Sequence, residues 1–338
     1  SQQEGYTMSR SNDDWDELSE RTRQRRKTRK KRNKRPMSLD DQADADFDEE
    51  HASKFVEGLA GKDSSFNWMK DERNKRMFKK IENRIQGAMG TGSYDWVDRR
   101  TFDQVFDRLT LMSLYKMMNS GILDTLDFPI ARGKEAHVFH GTDHNGQSVA
   151  VKIFHTSNAV FKNLMQYIEG DPRFGGLRRR HRDLVDIWVR KEHRNLTRLH
   201  RWGLPVPRPI AIQKNILIME YLGSEIQPSP KLRDVRIEDP QPVFDEMLEF
   251  LAVSWQKADL VHGDFSPYNI LWHDGGPIVI DVGQGVIQHH PKAKEFLVRD
   301  VTRLVEWANK NGIDITLADA MYDVLEMDLS HVHRMEEE

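Results

Sequence analysis

Lys152 stands in the middle of SVAVKIF, residues 148–154, an apolar run with β-branched residues on both sides of the lysine. A short run of this kind reads as a buried strand. A buried ammonium is costly unless it reaches a partner. The fold must therefore set an anion, from the chain or from a ligand, beside this strand; a plain surface lysine is the alternative. Val138 and Phe139 follow a Gly-Lys-Glu turn, and DHNG at 143–146 is a hairpin signal joining them to the Lys152 strand. The order around them reads strand, strand, strand, helix, strand, strand. The helix covers about 183–202 and is closed by Gly203 and Pro205. The strands after it lie near 209–213 and 215–221.

On the N-terminal side, Phe102, Val105, Phe106, Leu109, Met112, Leu114, Tyr115 and Met118 recur at three- and four-residue spacing and predict a helix from near Thr101. Asn119, Ser120 and Gly121 stop it. Residues 55–90 mix apolar and charged residues and predict short amphipathic helices, with a Gly-rich break at 87–92. On the C-terminal side a helix is expected at 243–257, a strand at 277–281 that Asp281 ends, and a final helix at about 292–311.

The 338 residues suffice for one catalytic unit plus tails. A net charge of -3 conceals an uneven distribution: 11 of the 15 residues at 21–35 are Lys or Arg, and 40–50 is acidic. With no apolar residue, the basic block is expected to be a mobile arm. It suits salt-sensitive binding of RNA phosphates, or it is a solvated tail. The absence of cysteine excludes a disulfide framework, a thiol nucleophile and cysteine-ligated zinc. No apolar run approaches the roughly 20 residues that span a bilayer, so a cytoplasmic location is expected.

The chemistry gathers in HGDFSPYN, residues 262–269, and in IDVG, residues 280–283. Moving the terminal phosphoryl group of ATP needs neutralised phosphates, hard oxygen ligands for a metal, and a carboxylate that orients the attacking group. Asp264 and Asn269 lie five residues apart on a loop, the spacing of a catalytic Asp and a metal-binding Asn. Seventeen residues on, Asp281 precedes Val-Gly as a second metal-binding carboxylate would. Glu192, in RKEHRNLTRL, occupies the place of the carboxylate that pairs with the strand lysine, although neighbouring polar residues of that helix could be the inward ones. The phosphate loop departs from the G-x-G-x-x-G pattern: ARGKEAHV offers only Gly133, with Lys134 beside it. Only 57 residues follow Asp281 and no Ala-Pro-Glu signature is among them, so peptide recognition by a long activation segment is not expected.

GKEAHVF (133–139), VKIF, HTSNAVFK (155–162), RKEHRNLTRL, MEYLG (219–223), HGDFSPYNIL and IDVGQGV together resemble the RIO family of atypical protein kinases, in its Rio1 branch, over about 101–311. The cysteine-free composition and short C-terminus point to an archaeal member. The resemblance implies an α+β, two-lobed protein-kinase-like fold: an N-lobe of antiparallel sheet plus helix, and a trimmed, mainly helical C-lobe without an activation segment. The boundaries expected are a disordered charged tail at 1–50, a poorly ordered helical segment at 51–100, helices and N-lobe to the hinge at 101–223, the C-lobe at 224–325, and an acidic tail at 326–338.

The resemblance further implies ATP with Mg²⁺ or Mn²⁺ as cofactors and autophosphorylation on serine. It also implies a role in maturing the small ribosomal subunit, with its rRNA as partner through the arm at 21–35. Carried onto matching positions, Asp264 is the catalytic carboxylate, and Asn269 and Asp281 hold the metal. Lys152, supported by Glu192, contacts the α- and β-phosphates; Gly133 and Lys134 lie in the phosphate loop. Glu220 and Leu222 contact adenine through backbone atoms. Asp281 is also the expected acceptor in an aspartyl-phosphate intermediate that would make the chain an ATP-driven switch. Two other readings compete. His-Gly-Asp also resembles small-molecule kinases of the aminoglycoside or choline type, whose C-lobe is longer. A non-catalytic RNA-binding scaffold would use the basic arm alone. The Arg-rich loop at 171–182 could touch RNA, ATP phosphates or only solvent.

Overall fold

Asp143 sets the hairpin on which the first lobe is built. Its Oδ1 accepts the backbone N–H groups of Asn145 (2.8 Å) and Gln147 (2.9 Å), while Gly146 takes the positive φ of 76° that closes the turn. The computed structural model describes residues 72–89, 105–156, 167–169, 181–225 and 227–335, all within the unit Ser65–Glu338. The basic arm at 21–35 and the rest of the tail at 1–50 lie outside the described residues, as do 157–166 of HTSNAVFK and its flank and most of the Arg-rich loop.

The elements run α1 (Glu72–Met89), α2 (Arg108–Asn119), β1 (Thr125–Arg132), β2 (Ala136–Thr142), β3 (Ser148–Phe154), α3 (His181–His200), β4 (Pro209–Gln213), β5 (Ile216–Glu220), α4 (Pro240–Gln256), β6 (Ile270–His273), β7 (Gly276–Val279), α5 (Ala293–Lys310) and α6 (Leu317–Glu326). The first lobe is a five-stranded antiparallel sheet in the order β1-β2-β3-β5-β4. This places Lys152 on the central strand, opposite Val138 on one side and Leu217 on the other. The second lobe packs α4, α5 and α6 with the β6-β7 hairpin. Its core holds Met247, Leu251, Val301, Leu304 and Val324, each nearly or wholly buried. Burial of each such side chain contributes about 1.5–3 kcal/mol. The described chain is thus the α+β, two-lobed arrangement expected. Only the segment 282–292 separates Asp281 from α5.

Several elements differ from expectation. Helix α1 is one 18-residue helix that continues through Gly87, where a break was expected. Met77, Ile81, Ile85 and Ala88 form its buried stripe, and a Cβ on Gly87 would stand 2.2 Å from the carbonyl oxygen of Asp127 in β1. The glycine is there for close approach to the sheet rather than for a turn. Helix α2 starts at Arg108, because Asp107 is its N-cap and accepts the N–H of Thr110 at 2.8 Å. Helix α4 begins earlier than read, with Asp239 as cap and Pro240 in the first turn.

The helix at 293–310 is not the last. Thr316 caps α6, a ten-residue helix beyond the last one expected, by accepting the N–H of Asp319. Beyond it the chain does not leave the lobe at once: Leu329 is 3% exposed, and the Met335 N–H donates to the Arg201 carbonyl at 2.8 Å. The strand before Asp281 ends at Val279. Asp281 itself follows in a left-handed conformation (φ 61°, ψ 55°) and opens a single 3-10 turn, Val282–Gln284.

Candidate active site

The anion demanded by Lys152 is supplied twice. Its Nζ donates to both carboxylate oxygens of Glu192 (2.7 and 3.0 Å) and to Oδ1 of Asp281 (2.8 Å). Glu192 is almost wholly buried on α3, whereas the Asp281 side chain is 49% exposed. Burial works against charge on Lys152, but Asp281 and Glu192 overcome it and raise the ammonium's pKa above its ordinary value. Asp281 is held below the ordinary carboxylate range, chiefly by Lys152. Glu192 is pushed up by burial, which Lys152 only partly offsets.

The turn that left-handed Asp281 opens is fixed from α3. Lys191, fully buried, donates to the carbonyls of Gly283 (2.6 Å) and Gly285. Asn195 donates to those of Val282 (2.8 Å) and Gly285 (3.0 Å). The buried carbonyls of Gly283 and Gly285 thereby gain donors, and that of Val282 gains a second beside the Gly285 N–H. Residues one apart on α3 thus do different work: Glu192 reaches the sheet lysine and Lys191 the turn that carries Asp281.

The second half of the site is the loop 262–269. Asn269 donates from Nδ2 to Oδ2 and to the backbone carbonyl of Asp264, both at 2.9 Å. This leaves the amide oxygen of Asn269 to accept or to ligate. Buried His262 donates from Nε2 to the Ile280 carbonyl (3.1 Å) and accepts the Asp264 N–H at Nδ1 (3.2 Å), so it ties this loop to the segment leading to Asp281. Gly263 sits at φ 81°, where a Cβ would come 3.1 Å from the Gln284 carbonyl oxygen. The loop is anchored from below by Asp300 of α5, whose carboxylate accepts the N–H of Gly263 (2.7 Å) and of Phe265 (3.0 Å). Asp300 is fully buried, and burial pushes its carboxyl up despite those bonds.

The remaining positions are placed less directly. Gly133 and Lys134 lie in the exposed turn between β1 and β2, and the Gly133 N–H is already donated to the Ala136 carbonyl at 2.9 Å. The residue of that turn that feels the site is Glu135. Burial first, then the charges of Asp281, Glu192 and Asp264, raise its pKa to about 7 against the lowering effect of Lys152. Glu220 ends β5; its N–H donates to the Arg208 carbonyl (2.9 Å) and its carboxylate accepts the Arg208 N–H (3.0 Å). The Leu222 carbonyl, in the connection to the second lobe, accepts the Ser229 N–H at 3.0 Å. An adenine at this edge would use the backbone groups that those bonds leave over.

Among the described residues there is no group of three or more His, Cys, Asp or Glu that could hold a metal alone. Asp281 and Asn269 offer one carboxylate and one amide oxygen, hard donors that would suit a cation sharing its shell with phosphates and water.

The sequence profile of the RIO domain matches residues 137–321, a span that takes in Lys152, Glu192, Asp264, Asn269 and Asp281. The chain belongs to the RIO family. The chain is 41% identical over 219 residues to the RIO-type serine/threonine-protein kinase Rio1 of Haloferax volcanii, covering 65% of this chain and 75% of that protein. It is 35% identical over 233 residues to the human serine/threonine-protein kinase RIO1, covering 68% of this chain but 41% of that longer protein. These relatives bear out the Rio1 branch, and the archaeal one accords with the expected archaeal character. In fold, the RIO chain resembles the Rio2 kinase–ADP/Mg²⁺–phosphoaspartate complex from Chaetomium thermophilum, with a TM-score of 0.50 and 20% identity over 67% of this chain and 69% of that one.

Polar residues around the site that were not singled out from the sequence include Glu135, Lys191, Asn195 and Asp300. For Asp300 a signal existed. It interrupts the apolar stripe Phe296, Leu297, Val301, Leu304 on the buried face of α5, and a carboxylate there requires a specific donor. Lys191 and Asn195 carried no comparable signal within a helix so rich in charge.

Proposed function

We propose that this RIO chain is an ATP- and metal-dependent serine/threonine protein kinase that autophosphorylates. One observation carries the reading: the Lys152 ammonium is held between Glu192 and Asp281, in a site whose other half is the Asp264–Asn269 pair. Lys152 would neutralise the α- and β-phosphates, and the backbone near Glu220 and Leu222 would take the adenine. Asn269 and Asp281 would hold Mg²⁺ or Mn²⁺, which when bound supplies charge neutralisation on the phosphate oxygens. Asp264 accepts a hydrogen bond from the acceptor hydroxyl, whose oxygen attacks the γ-phosphorus. The bond from that phosphorus to the β–γ bridging oxygen breaks, its electron pair leaves with ADP, and the hydroxyl proton passes to Asp264 or onward to solvent.

A second outcome of the same site is favoured by the state of Asp281. Its carboxylate is kept ionised by Lys152 and stays half-exposed, and the short 282–292 segment supplies no peptide platform. A free oxygen of Asp281 could attack the γ-phosphorus, with ADP leaving, to form an aspartyl phosphate that water later hydrolyses. The fold neighbour carries a phosphoaspartate in its own name. Cycling between these states would make the chain an ATP-driven switch, and the basic arm at 21–35 suits docking on small-subunit rRNA during its maturation in the cytoplasm.

Incubation with γ-labelled ATP and Mg²⁺ tests both. Label on serine that Lys152→Met and Asp264→Asn abolish supports the kinase. Hydroxylamine-sensitive label that Asp281→Asn abolishes supports the switch. No label of either kind, together with phosphorylation of an aminoglycoside or choline, sinks the reading.

A further inference from the structure

The cation on Asp264 does not come from its own loop. The segment from Asp264 to Asn269 is DFSPYN and contains no lysine or arginine, yet Oδ1 of Asp264 accepts from Nη1 of Arg303 at 2.6 Å. Arg303 lies on α5, one turn beyond Arg299 and Asp300. These three residues grip consecutive parts of the loop: Arg299 donates to the Gly263 carbonyl, Asp300 accepts from Gly263 and Phe265, and Arg303 holds the Asp264 side chain. Spacings of four and three residues set Arg303 beside both Arg299 and Asp300 on the helix surface.

We propose that Arg303 is the positioning residue of the transfer step, acting through Asp264; the proposal rests on the kinase reading above. An ionised carboxylate offers about four acceptor sites. Arg303 occupies one on Oδ1 and Asn269 one on Oδ2, which fixes the plane of the group and leaves the other lone pairs for the acceptor hydroxyl. Because one gripping residue stands on a helix with a buried face and the other directly before β6, the carboxylate is aimed before any substrate arrives. Partial exposure suits this role, since the Asp264 and Arg303 side chains are 34% and 35% exposed and the pair opens to solvent where an acceptor must enter. A guanidinium has five donors, and among the described residues those of Arg303 meet only Asp264. The others remain for an oxygen of the acceptor or of the transferring group.

The test uses the full chain and compares wild type, Arg303→Met and Arg303→Lys in steady-state transfer from γ-labelled ATP, with ADP/Mg²⁺ affinity by calorimetry and thermal melting beside it. Loss of aim is expected to lower kcat by about 10²-fold in Arg303→Met, with KM for ATP, ADP affinity and Tm close to wild type. Arg303→Lys should recover part of kcat, and added guanidinium should recover part of it in Arg303→Gly. A wild type that transfers label while Arg303→Met does so equally well overturns the assignment alone. So does a kcat loss that neither Lys nor guanidinium repairs and that tracks a fall in Tm and ADP affinity. A wild type that transfers no label overturns the kinase reading and this assignment with it.

Discussion

Lys152 and Asp281 meet across 129 residues of sequence, with the ammonium 2.8 Å from the carboxylate oxygen. One is on the central strand of the sheet and the other at the start of the turn after β7, so this contact joins the two lobes at the point where phosphates would lie. The same ammonium is bonded to Glu192, which has no access to water to compensate for its loss. Replacing Lys152 by Met should therefore abolish phosphoryl transfer and also destabilise the chain. An uncompensated buried carboxylate costs about 3–5 kcal/mol. Adding Glu192→Gln is expected to restore most of the stability and none of the activity, measured by urea unfolding and by transfer from labelled ATP.

Glu135 gives a pH dependence with a definite sign. Its folded-state pKa is raised from 4.5 to about 7, so between those values the folded chain binds more protons than the unfolded one. The stability this residue contributes is thus lost as pH rises from about 4.5 through 7. Glu135→Gln removes that loss. Its Tm relative to wild type should rise across the window and level off above it, by roughly 2–4 °C, the shift that about 1 kcal/mol produces in a domain of this size. A difference that stays flat from pH 5 to pH 8 counts against the placement of Glu135 beside the acidic site.

Asp300 is expected to matter for the loop more than for the lobe as a whole. Asp300→Ala leaves the N–H groups of Gly263 and Phe265 without their acceptor. Each unsatisfied buried donor costs about 1–3 kcal/mol. The variant should melt earlier and lose kcat, because Asp264 sits between the two freed amides. Asp300→Asn, which keeps one acceptor oxygen, should fall between it and wild type on both measures.

Removal of residues 1–35 separates the arm from the site. Eleven Lys and Arg residues within 21–35 should give a steep salt dependence of rRNA binding. The shortened chain is expected to bind rRNA more weakly, with a shallower salt slope, and to hydrolyse ATP at the rate of the full chain. Unchanged rRNA affinity at moderate salt would remove the arm from the proposed function.

The hairpin around Asp143 and the strand lysine were legible because each rests on local physics: turn chemistry, alternation, and the cost of a buried ammonium. The two-lobed fold was legible only through the resemblance carried by the ordered motifs. Glu192 was legible only as one of several polar residues on its helix. Its selection over its neighbours came from the contact with Lys152 at 2.7 Å, which no local pattern encodes. The left-handed turn at Asp281 was hidden for a related reason. A non-glycine residue at positive φ is held there by bonds from Lys191 and Asn195, which lie about ninety residues earlier in the chain.

The sequence by itself determined which chemical groups the chain brings to the site, since residue types at fixed spacing in the loop 262–269 and at the end of the next hairpin suffice to specify a carboxylate, an amide and a second carboxylate. The tertiary structure alone decided what surrounds them. Arg303 and Asp300 reach Asp264 and its loop from α5, and Glu135 enters the field of Asp281 from a turn of the sheet. Hydrogen bonds and charge act over a few ångströms of space irrespective of separation along the chain, so only folding brings these groups within range.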